Sequence, residues 1–177
     1  MKVDVTDVLS MENLIVEQQV ETELTSFQSK LGSFPITGKE SFQLRCENEE
    51  NKWLHSSGET DVTVVIPCDR CLEEVPVKLH LVIDRKYPLE VPSSGEEETE
   101  DIEDADYLDG SLLDVDRLLY DEILINWPMK VLCREDCKGI CRKCGANLNC
   151  KTCSCDSFEP DPRMAAIQDI FHQFKEV

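Results

Sequence analysis

Ten cysteines carry the chemistry open to this sequence. The later ones read Cys133-x3-Cys137-x3-Cys141-x2-Cys144, followed by Cys150, Cys153 and Cys155, and an earlier pair is Cys68-x2-Cys71. Zinc takes four thiolates in a tetrahedron, and a C-x2-C spacing lets one tight turn deliver two of them. Gly145 follows Cys144, where such a knuckle needs a residue free to adopt positive φ. The simplest pairing closes one site locally, from Cys141, Cys144, Cys153 and Cys155, with Cys150 as a competitor for either of the last two positions. Cys68, Cys71, Cys133 and Cys137 then make a second four-thiolate site, so the chain is expected to hold about two structural zinc ions. A single site, with the other cysteines merely buried or exposed, is the alternative. Cys46 has no near partner and lies in a strand-like pattern, which makes it a core residue.

Other cysteine chemistries fit less well. A thioredoxin-like C-x-x-C opens a helix after a strand, whereas Cys68 and Cys71 lie between two strand-like runs. Pro67-Cys68-x-x-Cys71 matches half of the zinc deaminase signature, but the H-x-E half is missing, since Ser56 and Ser57 follow His55. Each assigned site has four protein thiolates and no position left for water, which marks a structural metal rather than a catalytic one. His55, His80 and His172 are scattered, Trp53 and Trp127 are isolated, and no phosphate-binding glycine loop or Ser/His/Asp order stands out. No catalytic residue and no small-molecule site is therefore assigned, and the chain is not read as an enzyme.

These ligands need a scaffold, and composition bounds it. The 177 residues are 41% hydrophobic, enough for one domain with a core and a small appendage. No apolar run is long enough to cross a bilayer, and the start Met1-Lys2-Val3-Asp4-Val5 is unlike a signal peptide. A cytoplasmic location is expected, where thiols stay reduced and ten cysteines call for metal rather than disulfides. The net charge of −19 repels bare phosphate backbones and attracts basic partners. Against that trend, Pro128 to Asp156 holds six basic residues (Lys130, Arg134, Lys138, Arg142, Lys143, Lys151) and three acidic ones. Two thiolate-bound zinc ions would offset much of this excess.

Alternation predicts strands at residues 2–6 and 41–46, with a turn between them bracketed by Pro35 and Gly38. Residues 60–66 and 75–91 predict the centre of an antiparallel, barrel-like sheet. Residues 93–110 read as a mobile acidic linker, with nine acids and no base from Glu96 to Asp109. A helix capped at Ser111, carrying Leu112, Val115, Leu118, Leu119 and Ile123, should run to Pro128 and cover the sheet. A second helix should open at Asp161-Pro162 and present Met164, Ile167, Ile170, Phe171 and Phe174. The fold class is α+β, with a sheet domain at 1–127 and a zinc-knuckle segment with its helix at 128–177.

The order of these motifs is specific. Cys68-Asp69-Arg70-Cys71-Leu72-Glu73-Glu74 stands between two strands, then come an acidic stretch and a helix ending near a proline. Residues 132–149, from Leu132-Cys133-Arg134 through Cys141-Arg142-Lys143-Cys144-Gly145 to Asn149, follow, with Cys153-x-Cys155 and Asp161-Pro162-Arg163 at the close. This succession resembles the YceD-like family of bacterial large ribosomal RNA subunit accumulation proteins. The resemblance implies a non-enzymatic factor that supports 23S ribosomal RNA accumulation and large-subunit assembly. Its implied partners are a basic large-subunit ribosomal protein, whose gene commonly neighbours that of the family, or the 23S RNA precursor. Cys68, Cys71 and the later cysteines match the family by position; Cys46 and Cys150 lie outside its pattern. Two other readings stand beside it: a direct RNA-binding knuckle, and an RNA-processing enzyme.

Overall fold

The structure is a computed structural model that describes residues 1–89 and 107–155. It divides into two compact units, Met1–Pro67 with Glu74–Val131, and Cys68–Glu73 with the chain from Leu132. The first unit is α+β and mostly antiparallel sheet. Its elements are β1 (Lys2–Asp4), α1 (Thr6–Ser10), β2 (Ile15–Val20), β3 (Ser26–Ser29), β4 (Gly32–Lys39), β5 (Phe42–Glu49), β6 (Trp53–Pro67), β7 (Glu74–Pro88), β8 (Leu108–Asp109), β9 (Leu112–Asp114) and α2 (Val115–Ile125).

β6 is the spine of the larger sheet. β7 pairs with it from end to end, Trp53 opposite Pro88 and Pro67 opposite Glu74. The other edge of β6 is shared: β5 takes Trp53–Ser57 and β4 takes Val62–Val64. Gly58 lies where the partner changes, and a Cβ there would sit 2.9 Å from the Gln43 carbonyl oxygen and 3.1 Å from the Phe42 ring. The period-2 pattern places Leu54, Val62, Val64 and Ile66 of β6 and Leu79, Leu81, Ile83 and Tyr87 of β7 in the core. The sheet is open rather than closed into a barrel: its order is β2-β5-β6-β4-β3, with β7 paired to β6 alone.

Three local expectations are corrected. Pro35 and Gly38 lie inside β4 instead of flanking a turn. A bulge between Ile36 and Gly38 absorbs the irregularity, and the missing side chain of Gly38 lets Thr63 approach. Ser111 belongs to the β8–β9 hairpin, because Leu112–Asp114 pair with Lys2–Asp4 of β1. Asp114 caps α2 instead, accepting from the Arg117 N–H at 3.2 Å. The end of the expected acidic linker also joins the fold, since Tyr107 is buried against Tyr87 and Leu108 pairs with Leu113. The rest of that linker, and the expected helix from Asp161, lie outside the described residues.

α2 presents Val115, Leu118, Leu119 and Ile123 to the core and packs on β7. Glu122, buried on the same helix, takes the Arg85 guanidinium of β7 at 2.8 Å. Among the described residues no helix is long and apolar enough to cross a membrane.

Candidate metal centres

The turn between β6 and β7 is a knuckle. The Cys68 N–H donates to the Glu73 carbonyl at 2.8 Å, and the Leu72 N–H to the Cys68 carbonyl at 2.9 Å. Cys141–Gly145 repeats this geometry, with the Gly145 N–H donating to the Cys141 carbonyl at 2.9 Å. In both, the residue after the second cysteine is left-handed, φ +64° at Leu72 and +69° at Gly145. Glycine adopts that conformation freely, whereas a residue with a Cβ loses about 1–2 kcal/mol. Leu72→Gly is therefore expected to strengthen metal retention about fivefold in competition with a chromophoric chelator. Leu72→Ala, which keeps the Cβ, should show no gain.

The eight cysteines assigned from the sequence fall into two groups of four. Cys68, Cys71, Cys133 and Cys137 form one, Cys141, Cys144, Cys153 and Cys155 the other, and within each the sulfurs lie within 4.8 Å of one another. In the first group Cys68 Sγ is 3.9 Å from Cys137 Sγ, and Cys71 Sγ 3.5 Å from Cys133 Sγ. A tetrahedron with metal–sulfur bonds of about 2.3 Å has edges of about 3.8 Å, while a disulfide needs about 2.05 Å. All ten cysteines are free. Cys46 is buried in β5, and Cys150 is exposed and outside both groups.

The electrostatics of the donor set fit a dication. Burial opposes ionisation of Cys68, but backbone N–H groups of Arg70, Cys71 and Cys133 point at its sulfur and bring its pKa down to about 6. Backbone N–H groups of Cys144 and Lys143 do the same for Cys141, also to about 6. The other thiols meet that negative charge at close range. Cys155 is pushed up to about 12, first by the neighbouring Cys144, and Cys133 is pushed up by burial and by Cys71, Cys137 and Cys68. Each cluster thus stabilises one or two thiolates by itself, and a divalent cation is what makes four favourable.

One supporting residue escaped the sequence reading. Asn149 Nδ2 donates to Cys137 Sγ at 3.2 Å, and its Oδ1 accepts from the Lys138 N–H at 2.8 Å. Its amide is the first cause of the lowered Cys137 pKa. Nothing in the spacing singles it out, since Asn149 lies among the ligands of the other cluster. Gly139 completes the arrangement: at φ +78°, a Cβ there would lie 2.9 Å from the Arg70 carbonyl oxygen, which accepts from the Ile140 N–H at 3.0 Å. Outer partners of this kind are worth 10- to 100-fold in metal affinity. Asn149→Ala is expected to weaken retention at the Cys68 cluster by about that factor and leave the other unchanged, as read by stepwise chelator extraction.

The histidines lie elsewhere. His55 sits between Asp84 at 2.7 Å and Glu49 at 3.2 Å, and His80 pairs with Asp61 at 2.9 Å, all on strands of the sheet. His172 is outside the described residues. Trp127 stacks on Phe27 in the core, with centroids 5.0 Å apart.

Comparison with known proteins places these clusters in a family context. The family described as "Large ribosomal RNA subunit accumulation protein YceD" matches residues 56–171. A chloroplastic protein of Arabidopsis thaliana, named large ribosomal RNA subunit accumulation protein YCED homolog 1, is 30% identical over 64 residues, 36% of this chain and 20% of that protein. Uncharacterized proteins of Mycobacterium tuberculosis and Mycobacterium leprae are each 25% identical over 92 residues, 52% of this chain and 44% and 42% of theirs. The matches thus span less than half the length of these relatives. No solved structure matches the chain.

Proposed function

The chain belongs to the YceD family of large ribosomal RNA subunit accumulation proteins, and from that premise we propose that it is a non-catalytic, cytoplasmic factor of large-subunit biogenesis whose cysteine-rich unit folds around zinc. The ligands are Cys68, Cys71, Cys133 and Cys137 at one ion, and Cys141, Cys144, Cys153 and Cys155 at the other. The observation that carries the reading is the closure of both clusters. Four sulfurs within 4.8 Å of one another can fill all four positions of a tetrahedral ion, leaving none for water or substrate, so the metal holds shape and performs no hydrolysis. Soft thiolates in a tetrahedron favour zinc over harder cations.

Charge favours a basic partner for the sheet unit. Met1–Pro67 and Glu74–Val131 hold 28 acidic and 10 basic residues, a charge of −18, while the remaining residues hold 9 and 8, a charge of −1. From Asp84 to Glu122 alone there are fifteen acidic residues against three basic ones. Such a field steers a positively charged chain into encounter. We assign that partner as a basic large-subunit ribosomal protein, shielded until RNA takes it over.

A strain lacking the gene should lose 23S ribosomal RNA relative to small-subunit RNA. The wild-type gene should restore it, and a Cys71→Ser, Cys144→Ser double variant should not. Unchanged 23S levels in the deletion strain would overturn the reading.

A further inference from the structure

Cations along this chain differ in what they face. Six of the ten cations of the sheet unit, Lys2, Arg45, Lys52, Lys78, Arg85 and Lys86, each lie 2.7–3.7 Å from a carboxylate. Each of these six has an acidic neighbour within the fold. The stretch from Cys137 to Cys155 is the opposite case. It holds four basic residues, Lys138, Arg142, Lys143 and Lys151, and no Asp or Glu, in a chain with 37 acids and 18 bases. All four are exposed, and among the described residues none has an ion-pair partner.

The backbone beneath them is held at several points. Arg142 and Lys143 form the tip of a ribbon closed by the Ile140–Asn147 bridge and by the Cys141 N–H donating to the Ala146 carbonyl at 2.8 Å. The Lys151 N–H donates to the Asn147 carbonyl at 2.9 Å, and the Lys138 N–H to Asn149 Oδ1 at 2.8 Å. Arg142 and Lys143 therefore stand on a hydrogen-bonded ribbon that also carries the sulfurs of Cys141 and Cys144, and Lys138 and Lys151 are tied to its flanks.

The company they keep identifies the ligand class. The stretch has no aromatic residue on which a base could stack. It exposes one large apolar side chain, Ile140, at 38%, whereas protein interfaces bury an apolar centre rich in aromatic residues. Cations without apolar or stacking companions suit a phosphate backbone, which is bound through charge and without sequence readout.

We propose that Lys138, Arg142, Lys143 and Lys151 form a binding site for the phosphate backbone of RNA, independent of base sequence. The inference rests on the reading of the chain as a large-subunit biogenesis factor, and it deepens that reading by giving the cysteine-rich unit a ligand of its own. In this assignment the acidic unit faces a basic protein and the ribbon faces RNA, so one chain can engage both components of the particle.

The test uses the full zinc-loaded chain and a 20-base-pair RNA duplex of arbitrary sequence, followed by fluorescence anisotropy across a salt series. Four phosphate contacts on a duplex predict a slope of log affinity against log salt of about −3.6. The triple variant Arg142→Gln, Lys143→Gln, Lys151→Gln should flatten the slope by about 2.7 and weaken binding at least tenfold at low salt, with zinc content unchanged. No binding by the wild type at low salt, or equal binding by the variant, overturns the proposal. A poly-glutamate peptide that binds more tightly than the duplex would overturn it in favour of an acidic protein ligand. In cells, full rescue of 23S levels by the triple variant in a deletion strain that has lost them would reject the RNA site while leaving the biogenesis role standing. A deletion strain with normal 23S RNA would reject that role, and the duplex measurement would still decide the RNA site.

Discussion

Purified without chelator, the chain is expected to carry about two zinc ions, and single substitutions should remove them one at a time. Cys71→Ser or Cys133→Ser should cost the ion of the Cys68 cluster. Cys144→Ser or Cys155→Ser should cost the other, because the two groups of sulfurs share no member. Structural zinc contributes about 10–16 kcal/mol of apparent binding free energy in small domains, so a lost ligand should leave that part of the chain unfolded rather than merely looser. Cys150→Ser and Cys46→Ser should keep both ions. In the loaded protein Cys150 is expected to be the thiol that alkylates readily, since it is exposed and outside both clusters. Cys46 should stay protected, because burial both covers it and pushes its pKa up to about 11. Elemental analysis decides the matter: about one ion per chain would dismiss a cluster, and iron in place of zinc would change the metal while keeping the ligands. Loss of both ions in every single variant would show that the clusters fold as one cooperative unit.

Phe27→Ala is expected to destabilise the sheet unit by about 3–5 kcal/mol, the usual cost of truncating a buried phenylalanine. Phe27 is 1% exposed and stands among three rings, 6.5 Å from Phe34, 4.8 Å from Tyr120 and 5.0 Å from Trp127. These rings join β3 and β4 to α2, and the Tyr120 hydroxyl reinforces the contact by donating to the Gln28 carbonyl at 2.5 Å. A domain stable by about 5–15 kcal/mol loses a large share of that margin in one step. Urea unfolding followed by tryptophan fluorescence reads the change, since Trp127 is stacked on the missing ring. A loss below about 1 kcal/mol would mean that Phe27 is not packed as described. Phe27→Leu, which refills most of the volume, should recover about half of the loss or more.

Much of this protein is legible along the chain because its signals are local. A C-x2-C knuckle is made by residues in immediate succession, so Cys68-x2-Cys71 and Cys141-x2-Cys144 announce their chemistry by spacing alone. The alternation of β6 and β7 and the stripe of Val115, Leu118, Leu119 and Ile123 are likewise written in consecutive residues, and the structure buries those side chains. Spacing also suggests the local group of Cys141, Cys144, Cys153 and Cys155, whereas Cys68 and Cys71 meet Cys133 and Cys137 only through the fold, because some sixty residues separate the two pairs.

What tertiary structure decided involves partners far apart in sequence. Ser111 has the local pattern of a cap, yet Leu112–Asp114 are drawn into pairing with Lys2–Asp4, more than a hundred residues away, and the cap moves to Asp114. Pro35 and Gly38 look like a turn, but β6 recruits their segment as a strand and a bulge accommodates it. An open sheet rather than a barrel depends on which edges find partners, which no window of residues records. Asn149 supports a sulfur twelve residues back, and Leu72 takes a left-handed conformation that its side chain disfavours, because the knuckle holds it there. Composition counts Lys138, Arg142, Lys143 and Lys151 as four bases in an acidic chain. Only the folded arrangement distinguishes them from Lys2, Arg45, Lys52, Lys78, Arg85 and Lys86, which face carboxylates, because a cation's partner is chosen by proximity in space and not by position in sequence.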